Sequence, residues 1–287
     1  MLGHVVPRGV VFLAALALAG CTGTPSAPPP VSSSPSVSSV VPTTSPPAAT
    51  TAASPSPKWT VGARPLPLRP DGYGQLLPTP PELVNRNLPT ADRLPPPGDG
   101  RYHAAVTSVP ADVLARSTWQ RSCPVAATDL RYLTMSFVGF DGRPHTGEMI
   151  VDARVADAVT RVFGHLFAAR FPIEEMRVVA PAELTAPPTG DGNNTTAFVC
   201  RPAVGQMRWS AHSLGLAIDL NPFCNPYVRG DLVLPELASS YLDRANVRPG
   251  MVEPGDVAVR SFAAIGWSWG GEWHTPRDIQ HFTATGD

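Results

Sequence analysis

Charge is scarce in this chain and nearly balanced: 23 acidic residues stand against 22 basic ones, a net charge of −1 with histidine neutral. With no excess of either sign, nothing draws the chain electrostatically to nucleic acid or to an acidic surface, and partners have to be argued from sites. Internal repeats are missing, which removes the solenoid architectures. A glycine-rich phosphate-cradling loop is missing too, and with it the usual nucleotide fingerprints. Cysteine is limited to four residues, none at metal-binding spacing. The one long apolar run, "VVFLAALALAG" up to Gly20, is too short to span a bilayer as a mature helix.

What is present is unevenly distributed. Of 35 prolines, 21 precede residue 100, while the large aliphatic and aromatic residues concentrate after it. The apolar run follows a short head with His4 and Arg8 and ends on small residues at a cysteine, the layout of an export signal. "LAGC" from Leu18 to Cys21 resembles the bacterial lipoprotein box, which implies cleavage before Cys21 and lipid on its sulfur. Residues 1–20 are therefore expected to be a lipoprotein signal peptide. Residues 21–58, almost all Pro, Ser, Thr, Ala and Val, carry no charge before Lys58. They cannot bury enough apolar surface to offset the entropy of ordering and are expected to form an extended tether. Residues 59–100 stay proline-rich but gain Trp59, Tyr73, Leu76 and Leu77, and read either as further linker or as an arm that packs on the domain. Residues 101–287 are the expected folded domain, of a common single-domain length.

Three cysteines remain in an exported chain, Cys123, Cys200 and Cys224, which leaves one bridge at most and three possible pairings. Cys123–Cys200 is the favoured pair, because Cys224 sits in "NPFCNPY", close to the candidate site. "LRYLTMSFVGFDG" followed by "GEMIVD" reads as a hairpin turning at Asp141 and Gly142. Asp152 is a candidate cap for an amphipathic helix of about four turns, whose apolar residues run from Val155 to Phe167 before Phe171 meets Pro172. "MRVVA" is a short strand candidate, and Pro181 to Thr196 a loop. A second helix is expected from about Asp256 to Ile265, closed by Gly266. Strands and helices mix without a βαβ rhythm, so the fold class is α+β, a small mixed domain with a central antiparallel sheet.

The informative stretch is "WSAHSLGLAIDLN", from Trp209 to Asn221. In "GLAIDL" a strand would turn Ala217 and Asp219 to one face. A buried aspartate costs several kcal/mol unless a cation meets it. Ser210, Gly215 and Ala217 keep bulk small around His212 and Asp219, as a cavity requires. "SAHSLGLAID" is similar to the S-x-H-x-x-G-x-A-x-D signature of the zinc-dependent D-alanyl-D-alanine carboxypeptidase and L-alanyl-D-glutamate peptidase family, of Hedgehog/DD-peptidase fold. The resemblance implies that His212 and Asp219 are zinc ligands, with a third ligand near the carboxyl end. The family ending E-x-x-H fails here, since Gly271 stands three positions before His274. "WGGEWHTPRDIQHF" resembles the other ending, W-G-G-x-W followed by D-x-x-H-F, which implies His281 as third ligand and Asp278 as base. That ending is typical of the L-alanyl-D-glutamate branch and of actinobacterial lipoproteins.

Two imidazoles and a carboxylate leave a tetrahedral Zn²⁺ one open position, the layout of a catalytic site. Arg201, in "NNTTAFVCR", is either a clamp for a peptide carboxylate or a structural arginine. Ser210 would bond substrate or orient its loop. Glu272 and His274 are expected as supporting groups behind the ligands. Trp267, Trp269 and Trp273 are expected to pack the core or line a groove. His103, His145 and His165 have no companion at ligand spacing. The expectation is thus a monomeric, extracytoplasmic zinc peptidase held to the outer membrane face through lipid on Cys21. Its expected substrates are peptidoglycan stem peptides, and one zinc and no nucleic acid are expected partners. The rival is a non-catalytic wall-binding protein on the same fold.

Overall fold

A computed structural model describes residues 59–286. The expected signal peptide, the lipidation site Cys21 and the tether over residues 21–58 lie outside the described residues. In chain order the regular elements are α1 (Pro81–Val84), β1 (Ala104–Ser108), α2 (Ala111–Arg116), β2 (Leu130–Val138), β3 (Pro144–Asp152) and α3 (Ala156–Ala168). There follow β4 (Glu175–Met176), β5 (Asn194–Thr195), β6 (Ala217–Asp219), β7 (Tyr227–Arg229), β8 (Leu232–Leu234), α4 (Val257–Ala263), β9 (Ser268–Trp269), β10 (Arg277–Asp278) and β11 (His281–Thr283). The class is α+β, with small antiparallel sheets ordered β1-β2-β3, β10-β7-β8 and β6-β11-β9, and a parallel β4-β5 pair.

The β2–β3 hairpin is the platform, paired from Leu130↔Asp152 to Val138↔Pro144. Its inner residues Leu133, Met135, Met149 and Val151 meet Val159, Val162, Phe163 and Leu166 of α3, so the two periodicities interlock in one core. The same core takes Ile218 of β6, Phe262 of α4, and Trp269 and Phe282 of β9 and β11. Both partners of the candidate site are therefore rooted in the main core. α3 starts later than the sequence implies. Asp152 ends β3 instead of capping the helix, and its carboxylate accepts from Arg154 N and from the Arg154 guanidinium. α4 does begin on its expected cap, Asp256, whose side chain accepts from Val259 N at 2.9 Å. "MRVVA" contributes Met176 alone to a strand, because β4 finds only the two-residue β5 to pair with.

Residues 59–100 pack as an arm. Trp59 Nε1 donates to Asp191 at 2.8 Å, and Leu83 is fully buried with Phe223 and Tyr241. Arg86 forms a two-pronged pair with Glu174, at 2.5 and 2.7 Å, and lies 4.3 Å over the Phe223 ring. Asp92 meets His145 Nδ1 at 2.7 Å, which accounts for that buried histidine, whose Nε2 faces Asp141 at 3.1 Å. Polar pairs of this kind, with Arg86–Glu174 and Trp59–Asp191 buried, add to the small apolar area a proline-rich segment supplies. Cys123 is bridged to Cys200 with Cα atoms 5.9 Å apart, and Cys224 is free and buried.

Candidate metal centre

The motif around His212 folds as it does because of one close approach. Ser210 caps a 3₁₀ turn, Ala211–Leu214, its Oγ accepting from Ser213 N at 3.3 Å. Gly215 ends the turn at φ 70°, where an L side chain is strained. A Cβ at Gly215 would also lie 2.5 Å from Asp152 N, which donates to the Gly215 carbonyl at 2.9 Å. Glycine is thus required twice over, and the chain leaves it directly into β6.

Asp219 arrives on β6, and β11 sets His281 directly opposite it, in the register His281↔Asp219. His212 Nδ1 donates to Ala197 O at 2.6 Å, which leaves its Nε2 with a lone pair facing the other two. Three ligand atoms converge: His212 Nε2 to His281 Nδ1 is 3.1 Å, His281 Nδ1 to Asp219 Oδ1 is 3.0 Å, and His212 Nε2 to Asp219 Oδ1 is 3.2 Å. Zinc bonds of about 2.0–2.2 Å in a tetrahedron place ligand atoms roughly 3.3–3.5 Å apart. The triangle is one face of such a tetrahedron, a few tenths of an ångström contracted. Burial alone would raise the Asp219 carboxyl, but the charges and hydrogen bonds of His212 and His281 outweigh it and hold the group well below its ordinary value. Burial likewise works to lower His281, and the bond and charge of Asp219 overcome it, so this imidazole titrates above its usual range. Among the described residues these three form the group placed to hold a cation.

Asp278 stands on β10, three residues before His281. Its Oδ1 is sealed from solvent and has no hydrogen-bond partner. Burial pushes the carboxyl up to about 7, with the His281 charge opposing and the Asp219 charge adding to the rise. A carboxylate oxygen kept dry and unpartnered costs several kcal/mol unless a proton or ligand meets it. The glycines of the ending make room here. A Cβ at Gly270 would sit 2.5 Å from Asp278 O, and one at Gly271 would run into the Trp269 indole. Trp269 packs in the core and donates from Nε1 to Ile279 O at 2.7 Å, holding the β10–β11 link.

All four polar residues line a cavity of about 660 Å³, together with Arg201, Ser210, Tyr227 and Trp273. That volume is in the range of ligand pockets. Arg201 lines the cavity, and its charge lowers both Asp278 and His281 among the smaller influences on them. The Ser210 hydroxyl donates to Arg201 O at 2.9 Å and so orients the loop. Neither Glu272 nor His274 lines this cavity. Trp273 has extended backbone, which turns neighbouring side chains to opposite sides. Trp273 therefore faces the site, and His274 lines a separate depression with Arg229, Arg277 and Ile279. Sequence reasoning missed Tyr227 and Glu236 in the cavity wall, since neither stands in a motif.

A family model described as D-alanyl-D-alanine carboxypeptidase matches residues 204–284. The segment holds His212, Asp219, Asp278 and His281 and leaves out Arg201 and the arm. No curated protein and no solved structure matches the chain.

Proposed function

We propose that this chain is a zinc peptidase that hydrolyses peptidoglycan stem peptides, exported and lipid-anchored through Cys21. The observation that carries the reading is the ligand triangle with the raised Asp278 carboxyl lining the same cavity. The donor set, two imidazole nitrogens and one carboxylate oxygen, suits Zn²⁺ and would leave one position open. When bound, zinc supplies Lewis-acid polarisation of the scissile carbonyl and acidifies water.

The chain's own residues do the rest. His212 and His281 would hold the cation, His212 through Nε2 because its Nδ1–H donates to Ala197 O. The Asp278 carboxyl takes a proton from the attacking water and returns it to the departing amine, a role suited to a group whose burial raises it to about 7. Trp273 lies with its ring 5.6 Å from that of His281 and limits solvent at the cation. The form of the carboxyl-terminal motif supports cleavage between L-alanine and D-glutamate or at a neighbouring stem bond. Arg201 in the cavity wall is the specific observation for the second reading, D-alanyl-D-alanine carboxypeptidase action, since a guanidinium there suits a terminal carboxylate.

Zinc-loaded protein incubated with muropeptides, with fragments read by mass spectrometry, tests the activity and the bond together. Loss of a single terminal alanine identifies a carboxypeptidase, and an internal cut an endopeptidase. Intact muropeptides beside a full complement of zinc would leave a wall-binding protein in its place. For the anchor, Cys21→Ser should move the protein from the membrane fraction to the medium.

A further inference from the structure

Glu236 lines the same cavity as the ligand triangle, and the chemistry above gives it no part. It is only 5 % exposed. Its Oε1 accepts one hydrogen bond, from Gly74 N at 2.8 Å, and among the described residues no arginine, lysine or histidine pairs with it. A carboxylate in that state has lost most of its water and gained one neutral donor, which leaves it strongly attractive to a cation entering the cavity.

The placement is built rather than incidental. Gly74 belongs to the arm, 162 residues earlier in the chain, and a Cβ there would lie 2.8 Å from Glu236 Oε1 and 2.8 Å from Leu66 Cδ1. A methyl group at Gly74 would displace these two side-chain ends, so glycine leaves the Glu236 carboxylate where the arm's backbone N–H meets it. The residue after Glu236 is pinned on both sides: Leu237 N donates to Gly190 O at 3.0 Å, and Thr79 Oγ1 donates to Leu237 O at 2.6 Å. Leu66 N in turn donates to Pro188 O at 2.8 Å, tying the arm to the loop that carries Gly190. Arm residues thus hold an acid in the wall of a cavity whose lining also carries Arg201 and Arg208.

We propose that Glu236, set by the Gly74 backbone, is a specificity-determining residue that binds a primary ammonium group of the peptide substrate. The inference rests on the peptidase reading and adds a substrate feature to it. The amine has two possible sources in a stem peptide, its amino terminus and the side chain of a diamino acid. Both offer the same chemistry, so the test separates them.

The experiment measures binding by the full chain with zinc, in an Asp278→Asn background so that nothing is consumed. The probes are L-alanyl-γ-D-glutamyl-L-lysine and its Nα-acetyl and Nε-acetyl forms. Glu236→Gln should weaken the unmodified peptide about tenfold. It should leave unchanged the acetylated form that lacks the recognised amine, which names the source. Gly74→Ala, which pushes the carboxylate aside from across the chain, should reproduce part of that loss with zinc content unaltered. Equal binding of all three peptides by both proteins would overturn the assignment. So would equal loss of all three, or no binding of the unmodified peptide. Coupling without cleavage by the wild-type chain would remove the peptidase reading alone, and cleavage without coupling would remove Glu236 alone.

Discussion

His281 and Asp219 are cross-strand partners, Nδ1 to Oδ1 at 3.0 Å, in a pairing only three residues long. A one-residue slip would turn every side chain of β11 to the other face, so the buried Phe282 between Ile218 and Trp269 fixes the ligand geometry as well as the core. The metal reading therefore has a thermodynamic consequence. Zinc at about 100 times its Kd stabilises the folded chain by about 2.7 kcal/mol. For a domain of this size that is a Tm rise of roughly 5–11 °C over the chelated protein. Asp219→Ala should abolish the difference between zinc and chelator and take bound zinc from one equivalent to none by elemental analysis.

Asp278 should separate metal binding from turnover. Asp278→Asn keeps the shape and the three ligands, so zinc content should hold at one equivalent, while muropeptide turnover falls by roughly 10²–10⁴, the range for a lost proton-transfer group. Full turnover in this variant would remove Asp278 from the chemistry.

The same carboxyl makes a pH prediction for the zinc-free protein. Its folded value is raised by burial to about 7, from 3.8. Between those values the folded state holds a proton that the unfolded chain has released. The stability contribution is therefore fully present below the unfolded value and is lost as pH rises toward 7, at up to about 1.4 kcal/mol per unit. Urea midpoints of chelated wild type should fall from pH 4 to 7 relative to Asp278→Asn, and run parallel above that. A constant offset across the range would contradict the raised value.

Much of this site is legible in residues alone, and the reason is local. His212 and Asp219 are tied by a turn and a strand only seven residues long, and Gly215 is dictated by a backbone contact any such turn would make with β3. His281 is legible because "WGGEWHTPRDIQHF" resembles a family ending within one short stretch. Glu236 and Tyr227 escape because their places depend on contacts set by tertiary packing, the acid's from the arm. His274 lines a separate depression because adjacency in sequence to Trp273 sends it to the opposite side. The same holds for the fold, where long periodic elements such as β2, β3 and α3 can be read, while two-residue strands such as β4 and β10 have no pattern to read.

Cys224 should be chemically silent while the chain is folded. Burial pushes its thiol up to about 12, and its Sγ lies 3.8 Å from Asn193 Nδ2 in the packed layer under the arm. At pH 8 the thiolate fraction is on the order of 10⁻⁴, far below that of an exposed cysteine. Alkylation at pH 8 followed by peptide mass mapping should leave Cys224 unmodified until denaturant is added. Prompt labelling of the native chain would show that this layer opens.

The arm itself is the last point of leverage. Arg86 has a guanidinium fully sheltered from solvent, and Glu174 accepts from it at two oxygens and from Asn193 Nδ2 at 2.9 Å. Removing one partner strands the other charge in an apolar layer, which costs about 3–5 kcal/mol. Arg86→Met should therefore lower Tm by on the order of 10 °C. Replacing both, Arg86→Met with Glu174→Met, should recover a large part of that loss, because no buried charge remains and Phe223 still has an apolar chain to pack on. Zinc content in the double variant should stay at one equivalent, since neither residue touches the ligands. A linker without structural work would show no melting change in any of these proteins, and the arm's hold on the cavity wall at Glu236 would lose its foundation.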